Sequence, residues 1–123
     1  HHIALNVRYL DRAEVFYTDV LGFKVLQRFS KGLRHLMLDV GNSQIALFEV
    51  PGLEMQSHIE ELSETGYMHF AFKIEKKMFQ LAVKKLRDHN IDIGEGPVQR
   101  GEGESVYFQD LDCNHLEIHC DDE

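Results

Sequence analysis

Two histidines open matching stretches of this chain, HIALNV at residues 2–7 and HFAFKI at residues 69–74. Both read histidine, apolar, alanine, apolar, polar, apolar, which is the alternation of a half-buried strand. A carboxylate sits in a third such stretch, HLEIHC at 115–120, where Glu117 lies between His115 and His119. If the first two stretches begin equivalent halves, His2 and His69 hold equivalent strand positions. Aligning LEI (116–118) on IAL (45–47) then makes Ala46 the counterpart of Glu117. Two imidazoles and one carboxylate on facing strands form a two-histidine, one-carboxylate site for a divalent metal with open coordination positions. Neutral imidazole suits Zn, Ni, Co, Mn or Fe(II), and the carboxylate adds charge that holds the ion. Singly, each residue has a plainer explanation: His2 as a chain-end residue, His69 as a hydrogen-bonded strand histidine, Glu117 as a solvated side chain. Their joint placement at repeat-equivalent positions is what points to metal.

Other reactive side chains narrow the chemistry. His115, Glu117 and His119 stand at i, i+2, i+4 and share one strand face, so His119 neighbours the carboxylate. A local zinc site from Cys113, His115, His119 and Cys120 fits no zinc-finger ligand spacing. Cys113 and Cys120 are the only cysteines; they form no CxxC pair and read as reduced thiols of a reducing compartment. GEGE at 101–104 lacks the ending of a phosphate loop, and its two glutamates repel phosphate. His35, His58 and His89 lie in polar surroundings and read as surface residues, with His89 ending a helix where positive charge is favourable.

The elements that must position these groups repeat. Residues 2–8 alternate as a strand. In DRAEVFYTDVLGF, Ala13, Phe16, Tyr17, Val20 and Leu21 recur at helical spacing, and Gly22 supplies the stop. Strands follow at 24–30, 34–40 and 44–50, separated by Gly32 and by the GNS turn at 41–43. Residues 51–66, bounded by Pro51 and Gly66, read as a polar linker with one helical turn at 58–62. The order then recurs. There is a strand at 67–74, then a helix whose buried face is Met78, Phe79, Ala82, Val83 and Leu86. A short strand at 91–93, GEGP and RGEGE turns, and strands at 105–110 and 115–120 complete it. The chain thus reads as α+β, with two βαβββ modules at 1–50 and 67–123 joined by the linker into one domain. Neither module is large enough for its own core, so the curved sheets must pair, within the chain or by swapping in a dimer, and the pairing makes a cleft.

The chain has 123 residues, 43% apolar and 28% charged, and a formal net charge of −8. That acidity disfavours nucleic-acid backbones, and no apolar run approaches the roughly 18–20 residues of a membrane span. No signal-like leader is visible, and the expectation is a cytoplasmic protein acting on a small molecule.

HIALNV…LDRAEVFYTDVLGFKV, YMHFAFKI, GPVQRGEGESVYFQD and CNHLEIH together resemble the vicinal oxygen chelate superfamily over nearly the whole chain. That superfamily includes glyoxalase I, fosfomycin-modifying enzymes, extradiol dioxygenases and bleomycin-binding proteins. The resemblance implies that His2, His69 and Glu117 are the metal ligands. Small members pair two chains, which implies a homodimer in which His2 joins His69 and Glu117 across subunits. Glyoxalase I wants a fourth ligand where this chain has Ala46. Extradiol enzymes want a further histidine that is missing between His89 and His115, and Leu111 and Cys113 replace the proline and glycine of a DPDG turn. Fosfomycin enzymes share Tyr67 with His69, Glu104-Ser105 with Tyr107-Phe108, and Glu117 with His119. Against them, Ala4 stands where a hydroxyl is usual and Pro97 about where a lysine is usual, which leaves Arg100 as the cation offered to a phosphonate. The implied activity is divalent-metal chemistry that stabilises an anionic intermediate. Tyr67, Tyr107 and His119 are candidates for orienting substrate or moving a proton, and Ser105 and Arg100 for binding it. The alternatives are fosfomycin modification and non-catalytic sequestration of a small molecule, as in bleomycin-binding relatives.

Overall fold

The computed structural model describes residues 1–41, 43–53 and 69–122. Two four-stranded sheets have the same strand order. The first is β1 (His2–Val7), β4 (Gln44–Glu49), β3 (His35–Asp39) and β2 (Lys24–Phe29). The second is β5 (Phe70–Lys73), β8 (His115–Asp121), β7 (Gly103–Gln109) and β6 (Ile93–Arg100). In each sheet the first strand pairs in parallel with the last, and the remaining pairs are antiparallel.

One helix follows the first strand of each sheet. Helix α1 (Leu10–Val15) begins where Glu49 Oε2 accepts the Leu10 N–H at 2.8 Å, an anion at an N-terminus with bare donors. It runs into a π turn over Phe16–Val20, closed by Leu21 N–H to Phe16 O at 3.3 Å. The wider turn puts Phe16, Tyr17, Val20 and Leu21 all in the core. Helix α2 (Lys76–Asp88) buries Phe79, Ala82, Val83 and Leu86. Met78, expected on that face, is instead 37% exposed, because it lies one position before the buried stripe and reaches toward Gly22.

The helix-bearing faces of both sheets enclose one apolar cluster, joined by Phe16 against Phe108 and Phe23 against Phe72. The modules of one chain therefore pack through their helix-covered faces. Their other faces, carrying His2, Ala4, Asn6 and Glu117, His119, Lys73, look outward. A polar clasp closes the junction. Tyr17 donates to Asp110 Oδ2 at 2.6 Å, Arg8 donates to Asp112 Oδ1 through its backbone and Nε, and Asn114 Nδ2 donates to Asn6 O.

The expected short strand at 91–93 with a GEGP turn is corrected: Ile93 opens one strand that runs to Arg100 through two register shifts. Gly96, at φ 109, makes those bulges feasible, since a Cβ there would stand 2.5 Å from Ser105 O, and Pro97 follows at the bulge where no ladder donor is needed. His69 lies just before β5 rather than within it. Most of the linker, including its expected helical turn at 58–62, falls outside the described residues. Among the described residues no helix is long and apolar enough to cross a membrane.

Candidate functional site

Register shows how the doubled architecture treats the predicted ligands. Ala4 pairs with Ala46 across β1 and β4, and Ala71 pairs with Glu117 across β5 and β8. His2 and His69 each lie two residues before those alanines, so Glu117 stands in the second sheet where Ala46 stands in the first. The correspondence extends to the next strands. Met37 beside Ala46 matches Tyr107 beside Glu117, and His35 beside Phe48 matches Ser105 beside His119.

On the second sheet the polar members meet. His69 Nε2 and Glu117 Oε1 are 3.0 Å apart, with side chains 26% and 12% exposed. Ser105 Oγ lies 2.7 Å from Glu117 Oε2 and 2.8 Å from His119 Nδ1. His119 Nε2 faces Asp121 Oδ1 at 3.7 Å, and a hydrogen bond from Lys73 holds the Asp121 carboxyl below its usual range. The Tyr107 ring stands edge-on to His69 at 5.9 Å between centroids, and the Arg100 guanidinium lies over the Tyr107 ring at 5.6 Å. A nitrogen and a carboxylate oxygen side by side in a half-buried, hydrogen-bonded setting suit a divalent cation.

The third predicted ligand is not brought to them within one chain. His2 is exposed on β1, its Nδ1 2.8 Å from that of His1. Among the described residues no three histidine, cysteine, aspartate or glutamate side chains gather as a metal-holding group. Tyr67 lies outside the described residues. Ser105, Tyr107, His119 and Arg100 do surround the His69–Glu117 pair.

The first sheet offers different material at the matching places. His35, expected at the surface, is half-buried between Phe29 and Phe48, with ring centroids 4.5 and 4.4 Å away and near-parallel planes. The correction follows from cross-strand neighbours that distant spacing in the sequence conceals. Burial pushes both cysteine thiols up from their ordinary value. A groove of about 1080 Å³ opens elsewhere, at the exit end of β5, lined by Phe23, Lys24, Asp39, Lys73, Lys76 and Asp121 among others. Its lysines are partly committed to Asp121 and to the Asp122 carbonyl, and none of His69, Ser105, Tyr107 or Glu117 lines it.

Over residues 1–118 the chain matches the Glyoxalase/Bleomycin resistance protein/Dioxygenase superfamily. The chain belongs to that superfamily. It is 32% identical over 118 residues to a catechol-2,3-dioxygenase of Bacillus subtilis, covering 95% of this chain but 39% of that protein. It is 30% identical over 120 residues to metallothiol transferase FosB of Staphylococcus epidermidis, covering 97% of this chain and 79% of that one. A crystal structure of a glyoxalase/dioxygenase from Nostoc punctiforme superposes with a TM-score of 0.78 at 31% identity, over 100% of this chain and 90% of that one. A FosX mutant from Listeria monocytogenes, crystallised with Mn(II), shares the fold at a TM-score of 0.72 and 23% identity, over 98% of this chain and 90% of that one. The superfamily takes in glyoxalases, dioxygenases and bleomycin resistance proteins, and the relatives named here have different reactions on one scaffold.

Proposed function

We propose that this chain is a divalent-metal-dependent enzyme acting on a small oxygenated substrate. In this reading His69 and Glu117 of one chain hold the ion together with His2 of the partner subunit. The observation that carries it is the convergence of His69 Nε2 and Glu117 Oε1 at 3.0 Å on the open face of the second sheet. The exposure of His2 on the open face of the first sheet supports completion by a second copy.

When bound, the ion supplies Lewis acidity toward two neighbouring substrate oxygens and charge to offset an anionic intermediate. The chain's own residues do the rest. Tyr107, beside His69, limits the pose of the substrate and offers a phenol to it. His119 borders the same carboxylate and is the imidazole candidate for accepting a proton. The Arg100 guanidinium over Tyr107 gives the rim a positive charge, which favours an anionic substrate group. That placement, with the likeness to metallothiol transferase FosB, supports fosfomycin modification as the second reading.

Elemental analysis of protein purified without a tag tests the proposal, beside His2→Ala, His69→Ala and Glu117→Ala. Near-stoichiometric metal in the parent, lost in each variant, together with a dimer in sedimentation, is the expected result. A folded parent that takes up no metal supports instead a small-molecule sequestering protein. Turnover assays with catechol and oxygen, and with fosfomycin and a thiol, separate the two enzymatic readings.

A further inference from the structure

We infer that Ser105 is a positioning residue for Glu117, holding the carboxylate on one side and the His119 ring on the other; this rests on the reading of Glu117 as a metal ligand. Ser105 is 0% exposed, and its Oγ lies 2.7 Å from Glu117 Oε2 and 2.8 Å from His119 Nδ1. A hydroxyl has one hydrogen to give, and a carboxylate only accepts. The Ser105 hydrogen therefore goes to Glu117, and Ser105 Oγ accepts from the N–H at His119 Nδ1. That network places a hydrogen on His119 Nδ1, while Nε2 faces Asp121 Oδ1 at 3.7 Å. Because Glu117 Oε1 faces His69 while Oε2 receives Ser105, both carboxylate oxygens are held from different sides.

A second feature is built around the same ring. A Cβ at Gly103 would collide with the Cys120 carbonyl oxygen and stand 2.9 Å from His119 Nε2. Only a residue without a side chain lets β7 approach β8 this closely and seats the imidazole over Ser105. The first sheet has no such lock: His35 and Phe48 occupy the matching positions and stack as rings. Among the described residues the polar device lies only in the half that carries the carboxylate. It makes Ser105 a support of the ligand rather than a substrate contact, and partners of metal ligands tune affinity strongly.

Mn(II) binding read by electron paramagnetic resonance tests this in untagged dimeric protein. Ser105→Ala is expected to stay folded by circular dichroism and to bind Mn(II) about 10–100-fold more weakly. Ser105→Thr, which keeps the hydroxyl, is expected to stay within about threefold of the parent. Parent-like affinity in Ser105→Ala overturns the inference, and so does an equal loss in Ser105→Thr. Should Ser105→Ala not fold, His119→Ala removes the other half of the lock and is expected to weaken Mn(II) binding several-fold; unchanged binding there overturns it too. A parent that binds no Mn(II) brings down the reading of the centre and this inference with it. A binding parent with an unaffected Ser105→Ala brings down the inference alone.

Discussion

Tyr17→Phe removes one oxygen from the clasp between the two modules. The phenol is fully buried and donates to Asp110 Oδ2 at 2.6 Å. Its ring keeps its packing against Phe16 and Phe23, so the substitution subtracts a hydrogen bond and almost no volume. Asp110 retains the backbone N–H groups of Asp112 and Asn114 on Oδ1 and the Asn114 amide on Oδ2. A hydrogen bond to a charged acceptor contributes about 1.5–3 kcal/mol, and with three donors retained the loss falls near the lower end, ~2 kcal/mol. In a chain of this size that lowers Tm by roughly 6–10 °C. The pH dependence adds a second readout. Burial first, then the charge of Asp110, push the Tyr17 phenol well above its ordinary 10.0. Above that pH the unfolded tyrosine has released a proton that the folded one still holds, so the parent loses stability as pH rises. Phenylalanine has no such proton, so the deficit of the variant should shrink in alkali. Urea unfolding followed by circular dichroism, near neutrality and above pH 10, measures both effects. A deficit below about 0.5 kcal/mol at neutral pH, or one that grows with alkalinity, would refute the reasoning.

Four further outcomes are expected. Leu86→Ala, at a position 0% exposed on α2, costs about 2–5 kcal/mol in denaturant titration. Leu81→Ala, 52% exposed on the same helix, costs less than about 0.5 kcal/mol. Arg8→Ala takes the nearest guanidinium from Asp112, whose side chain is 1% exposed, and leaves Arg12 at 3.5 Å. A loss of about 1–2 kcal/mol that persists in high salt is expected, since buried charge is weakly screened. Finally, metal at a hundred times its Kd stabilises the parent by about 2.7 kcal/mol in thermal melts, and Glu117→Ala abolishes the gain.

The repeat was legible because both halves write the same strand–helix–strand order in period-two and period-three-to-four apolar patterns. The pairing of Glu117 with Ala46 was legible too, since a strand register needs only one anchor in each half. Residues 93–100 were misread because Gly94, Gly96 and Pro97 signal a turn locally, whereas the β7 backbone draws them into a bulged strand. His35 looked like a surface residue because its two ring neighbours come from other strands. The clasp went unseen for the same reason: Tyr17 and Asp110 meet only after both modules fold, although the closely spaced Asp110, Asp112 and Asn114 were a turn signal that could have drawn attention. Cys113 holds φ 64 where a glycine would be usual, so the β7–β8 turn keeps its shape at some backbone cost.

Ala46 has a consequence of its own. Internal duplication starts both halves with the same inventory, and here one half has a methyl group at the position where the other has a carboxylate. The asymmetry would give the proposed centre a front and a back. In the proposed dimer, the alanine side would present no competing anion, so an incoming molecule would bring its own negative oxygen to that side without repulsion. A single Ala46→Glu exchange would restore the mirror image and close that door.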